Sequence, residues 1–178
     1  MGTHRQITIQ AVYLDDEMSG WHVWNNSFVN VTTGTFVGGG RLNRFHDNYY
    51  QNVATVCHHF DARGLHKNDT SWNCTSGPGG AACIPGSNTV PSNCGCSAGA
   101  LAYELTGPAG PRWKQLYPAL AASLTDRGCF GPGGYVPCGN AVVNNTYCNV
   151  QAFTDVSAGS FKGWNSVLAN NKEVPCRY

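Results

Sequence analysis

The chain has 178 residues, a formal net charge of +1 and only 12% charged residues. That length suits one domain with a real core. The sparse, balanced charge excludes a basic stripe for nucleic acid and an acidic solvating tail, and no apolar run reaches the ~20 residues needed to span a membrane.

Residues 7–14, Ile-Thr-Ile-Gln-Ala-Val-Tyr-Leu, alternate as a strand does. Met1–Gln6 before it has no apolar core, so it is not a signal peptide. A strand that starts so early reads as the middle of a stack whose earlier coils belong to a longer chain. Then a motif appears three times: Asn26-x-Phe28-x-Asn30-Val31, Asn48-x-Tyr50-x-Asn52-Val53 and Asn145-x-Tyr147-x-Asn149-Val150. The first two copies lie 22 residues apart, about one turn of a β-solenoid. Val23, Phe28, Val31, Phe36, Phe45, Tyr50 and Val53 are spaced to stack inward from coil to coil. Asn26, Asn48 and Asn145 are expected to form a side-chain ladder, and Asn30, Asn52 and Asn149 a second one. Coincidental Asn-rich turns are the bland alternative.

Between the second and third copies an insertion leaves and re-enters the stack, over about 65–139. It holds six of the nine cysteines. Residues 68–98 read as a disulfide-stapled loop. Pro111, Trp113, Leu116, Tyr117 and Leu120 predict helix over 111–127, split in two by Pro118 and stopped at Gly128, with its apolar side on the stack. So many cysteines point to an oxidising compartment. A zinc site around Cys94-Gly95-Cys96 is the alternative, on a spacing unusual for zinc. Cys57 sits within a coil and reads as a buried free thiol. The other eight are then available to pair, in a connectivity left open. Of five Asn-x-Ser/Thr sequons, at Asn25, Asn30, Asn68, Asn73 and Asn144, only Asn68 and Asn73 suit glycans.

More specific text lies in Val12-Tyr13-Leu14-Asp15-Asp16-Glu17-Met18-Ser19-Gly20, Gly38-Gly39-Gly40-Arg41-Leu42-Asn43 and His59-Phe60-Asp61-Ala62-Arg63-Gly64. Later come Trp113-Lys114-Gln115-Leu116-Tyr117-Pro118-Ala119-Leu120 and Gly139-Asn140-Ala141-Val142-Val143-Asn144-Asn145. Together they resemble a family of right-handed parallel β-helix repeat proteins, across nearly the whole chain except 68–98. The resemblance implies a pectate-lyase-like superfold, many of whose members cleave or epimerise acidic polysaccharides. The family itself is mostly without assigned activity, and fold alone does not license one. The expected fold is therefore all-β: a right-handed parallel β-helix in one domain over 1–178, with a Cys-rich insertion and short helices.

At a 23-residue offset one column reads Asp15, Gly38, Asp61. The next two read Asp16, Gly39, Ala62 and Glu17, Gly40, Arg63. Two strand steps put the Asp15 and Asp61 backbones roughly 10 Å apart, near the spacing of an inverting glycosidase once side chains are added. In a hydrolase, one carboxyl protonates the leaving oxygen and another activates water. In a lyase, Arg41, Arg63 or His59 takes the proton alpha to a uronate carboxyl. The expected catalytic set is Asp15, Asp16, Asp61, Arg63 and His59. Gly38, Gly39, Gly40 and Arg41 are the expected substrate contacts, because glycine lets a ligand approach the backbone.

No cofactor is demanded, although Asp15, Asp16 and Glu17 have the oxygen ligands that Ca²⁺ takes. Structural alternatives stand beside each role. Asp15 and Asp16 suit a turn cap, Asp61 and Arg63 an ion pair, Gly38–Gly40 a tight corner, and His58 and His59 an inward and outward pair. Trp21, Trp24, Tyr49 and Trp72 suit either sugar stacking or packing. The sequence thus points to a secreted, monomeric protein that binds or processes a polysaccharide, as a lyase or glycosidase on acidic glycans. The alternative is a non-catalytic carbohydrate-binding or cell-wall structural protein.

Overall fold

The computed structural model describes residues 8–15, 18–61, 110–123, 130–131, 134–156 and 158–177. Asp16, Glu17, Arg63, Trp72, the stapled loop, the Cys94–Cys96 pair, Gly128, Asn68 and Asn73 lie outside them.

Two parallel sheets make up the body. One runs in the order β1 (Gln10–Leu14), β3 (Ser27–Gly38), β5 (Tyr49–Asp61), β9 (Thr146–Val150), β11 (Lys172–Glu173). The other runs β2 (His22–Trp24), β4 (Arg44–His46), β8 (Ala141–Val143), β10 (Val167–Ala169). The short strands β6 (Phe130–Gly131) and β7 (Gly134–Tyr135) pair antiparallel. Three helices complete the described residues: α1 (Gly110–Leu116), α2 (Pro118–Ser123) and α3 (Ala158–Gly163).

The chain passes between the sheets through single left-handed residues. Asn25, Asp47, Asn144 and Asn170, with φ of 55–57°, lead out of the four-stranded sheet. Asn and Asp tolerate this conformation because their short polar side chains bond locally. Gly20, Leu42, Gly139 and Asn165 do the same on the way in, also at positive φ.

The residue after each of these bends carries a ladder. The Asn26 backbone N–H donates to Asn48 Oδ1 at 3.0 Å, Asn48 to Asn145 at 3.0 Å and Asn145 to Asn171 at 2.9 Å. Asn149 Nδ2 donates to Asn52 Oδ1 and Asn52 Nδ2 to Asn30 Oδ1, so both expected ladders are present. A third was not foreseen: Trp21 N donates to Asn43 Oδ1, Asn43 N to Asn140 Oδ1, and Asn140 N to Ser166 Oγ.

A bulge reconciles the two repeat lengths. Val31 pairs with Val53, 22 residues on, but Thr33 pairs with Val56, 23 residues on. One extra residue in β5 therefore changes the offset midway along the strand. The motif lies before the bulge and the Asp15 column after it.

The expected all-β right-handed parallel β-helix is corrected by this architecture. Nine strands of the body form two parallel sheets, accompanied by few helices among the described residues. The core is also not made by strands alone. Phe161 of α3 is 1% exposed and packs with Leu14, Val37, Phe45, Phe60 and Val142. A second cluster holds Tyr50, Val53 and Cys57. Phe36 is buried as expected, at 7% exposed, but on the opposite side of β3 from Val37, stacked between Tyr13 and His59. The helical segment does split at Pro118, yet Leu116 and Tyr117 are exposed rather than packed. Cys148 of β9 is bonded to Cys176 in the C-terminal tail, with Cα atoms 5.3 Å apart.

Candidate functional site

Alternation along the strands decides which residues share a face. Leu14, Val37 and Phe60 point into the core. Their neighbours Tyr13 and Asp15, Phe36 and Gly38, and His59 and Asp61 therefore share the outer face of the five-stranded sheet. The register brings Tyr13, Phe36 and His59 into one row, and Gly38 opposite Asp61. Asp15 follows directly on the Leu14–Val37 pair, one residue beyond β1.

The aromatic row is stacked. Tyr13 and Phe36 have ring centroids 4.6 Å apart at 5°, and Phe36 and His59 5.0 Å apart at 22°. Tyr13 is 45% exposed at the open end of the row. At the other end a bridge between His58 and Thr154 carries the row on to Asp155. His59 Nδ1 pairs with Asp155 Oδ2, and these side chains are 38% and 29% exposed. Asp155 Oδ1 also accepts the Phe60 backbone N–H at 3.1 Å. A carboxylate held in this way fixes the ring's tautomer and orientation. With Nδ1–H donated to the Asp155 carboxylate, Nε2 carries the lone pair that can take a proton.

His59, Asp61 and Asp15 thus share one face of the sheet, with Asp155, paired to His59, as the residue that sequence reasoning missed. The signal for it was weak: it lies 96 residues after His59, whereas the third motif copy lies 97 after the second.

The expected substrate contacts are corrected. Gly38, Gly39 and Gly40 are buried, and Arg41 is 0% exposed. Gly39 turns the chain at φ 82°, and a Cβ on Gly40 would run into the Met18 carbonyl and the Asn43 amide. The glycines therefore let one chain segment approach another, and none of the four lines an open surface. Asp15 also closes a turn through its carbonyl, which accepts the Met18 N–H at 3.0 Å. Asp16 and Glu17 are outside the described residues, so the calcium option has no described ligand set. Among the described residues no group of three or more His, Cys, Asp or Glu is placed to hold a metal ion.

Beneath this face, His58 points inward and is fully buried. Thr35 Oγ1 lies 2.7 Å from its Nδ1, and the Tyr50, Phe45 and Phe153 rings surround it edge-on. Burial drives its pKa down to about 3 against the opposing pull of Asp155, so it is neutral. Burial pushes the Cys57 thiol up to about 12. His58 and His59 are the inward and outward pair that strand alternation predicts.

Comparison with protein-family models, with curated proteins and with solved structures gives no match. The resemblance noted in the sequence is carried by the quoted residues alone.

Proposed function

We propose that this protein binds a polysaccharide along the outer face of the five-stranded sheet and cleaves it there. The observation that carries this is the partly exposed His59, oriented by Asp155 and flanked on the same face by Asp61 and Asp15. His59 exchanges a proton with the substrate through Nε2. Asp61 and Asp15 stand two strand steps apart, roughly 10 Å at the backbone, near the carboxyl spacing of inverting glycosidases. Tyr13 gives the sugar an apolar contact. A lyase needs a cation against the uronate carboxylate. Arg41 is buried, and Arg63 lies outside the described residues, so hydrolysis suits the described face better. The Cys148–Cys176 bond supports an extracellular setting.

A second reading is favoured by one contact. Asp155 bridges His59 to the Phe60 backbone, as a purely structural staple would. The protein then binds glycan without cleaving it.

The test is a screen of neutral and uronate polysaccharides, scored by new reducing ends, with unsaturated ends marking a lyase. Asp61→Asn should lower the rate by roughly 100-fold or more while binding persists. If Asp61→Asn leaves the activity intact, the assigned site is wrong. Binding with no cleavage of any glycan selects the second reading.

A further inference from the structure

The other sheet also has an outer face. Val23, Phe45, Val142 and Leu168 pack on the core. Their neighbours on each strand therefore point away from it. On β2 and β4 these are His22, Trp24, Arg44 and His46, with His22 opposite Arg44 and Trp24 opposite His46. On β8 and β10 they are Ala141, Val143, Val167 and Ala169. One half of the face is thus aromatic and basic, and the other half is small and aliphatic.

Trp24 is 58% exposed and lies parallel to the His46 ring, 6.2 Å apart at 4°. His22 meets His46 edge-on at 6.3 Å. His46 Nδ1 lies 2.6 Å from Asp47 Oδ2, which holds that ring in place. Arg44 is exposed beside this group. Strands stand ~4.8 Å apart, and alternate residues on a strand ~6.6 Å apart. The four side chains therefore bracket a patch about the size of a sugar ring. Trp24 offers a flat apolar surface for the ring's C–H face, and Arg44 offers a planar fork that matches a carboxylate. A polymer of phosphates would need many cations. Here Arg44 is the only permanent cation among the outward residues of the described strands of this four-stranded sheet, which suits one carboxylate per ring.

We propose that the outer face of the four-stranded sheet is a second glycan-binding site, in which Trp24 stacks on a uronic-acid ring and Arg44 pairs with its carboxylate. It rests on the polysaccharide reading above and names its charge class. The site holds the polymer and does not cleave it, since no carboxyl pair faces it among the described residues.

Calorimetric titration of the full chain with an oligogalacturonate and with the matching neutral oligogalactose tests it. Arg44→Gln should weaken the uronate about tenfold and leave the neutral sugar within about twofold, as expected for one charge-assisted bond. Trp24→Ala should weaken both by about tenfold, and Asp61→Asn should spare these losses. Because both side chains are exposed, the variants should keep the wild-type circular dichroism. If Arg44→Gln and Trp24→Ala leave uronate affinity unchanged while His59→Gln or Asp61→Asn abolishes it, this site is wrong and the cleft on the first sheet stands. If the wild type binds neither oligosaccharide, both proposals fall. Tighter binding of a single-stranded oligonucleotide than of the uronate, lost in both variants, would also overturn it.

Discussion

His58 carries the clearest pH consequence. Its ordinary value is 6.5 and its native value about 3, set first by burial. Above 6.5 the imidazole is neutral in both native and unfolded chains, and it leaves stability unchanged. Below that, the unfolded chain takes a proton that the native chain refuses until about 3. Unfolding is therefore favoured as pH falls through this window, by up to about tenfold in the equilibrium constant per pH unit. Urea midpoints at pH 7, 5 and 4 should fall in that order, and His58→Phe should flatten the slope. The ladder residues give a second expectation. Asn145 is fully buried, accepts from the Asn48 backbone and donates to the Phe45 carbonyl. Asn145→Ala leaves a buried N–H and a buried carbonyl without partners, at about 3–5 kcal/mol in all. Asn26 is exposed, so Asn26→Ala should cost about 1 kcal/mol or less. Equilibrium unfolding of the two variants measures the contrast.

At the level of elements, the tail is tied to the sheet. The Cys148–Cys176 bond closes a separation of 28 residues, and Arg177 lies 4.1 Å over the Tyr49 ring. Cys176→Ser should cost about 2–4 kcal/mol. Thermal unfolding of the variant beside the wild type, both without reductant, should show this loss. At Gly34 the backbone of β3 packs directly against β5. A Cβ there would stand 2.6 Å from the Cys57 carbonyl and 2.7 Å from the Tyr50 ring. Gly34→Ala should therefore destabilise by about 2 kcal/mol or more, read in the same unfolding assay.

The elements also show what the sequence could supply. The motif placed two Asn ladders, because identical amides at a fixed period have one economical arrangement. The third ladder was missed because its members, Asn43, Asn140 and Ser166, are not identical and sit outside the motif. Phe36 is buried, as its hydrophobicity suggests, but strand alternation from Val37 sets it on the other side of β3, between Tyr13 and His59. The all-β expectation placed its short helices only in the insertion and missed α3, whose Phe161 fills the core from a short Gly- and Ser-containing helix with no strong periodicity.

Across the whole molecule, the two sheets present opposite chemistry. One outer face gathers Asp15, Asp61, Asp155 and His59; the other gathers Trp24, Arg44, His22 and His46. The first was partly readable, since the 23-residue offset aligned Asp15 with Asp61. Asp155 was not, because a long insertion separates it from its neighbours and the offset changes by one across it. Burial was the property the sequence could not supply. It removed Arg41 and the three glycines from the surface, although their spacing was right. His59 is where the catalytic proposal stands or falls. The direct test is the rate at which His59→Gln cleaves the glycan found for the wild type, at saturating substrate, beside its affinity for that glycan. The proposed role predicts a rate lower by roughly 100-fold or more with affinity within about threefold. An unchanged rate, with His59→Gln as stable as the wild type, would contradict it.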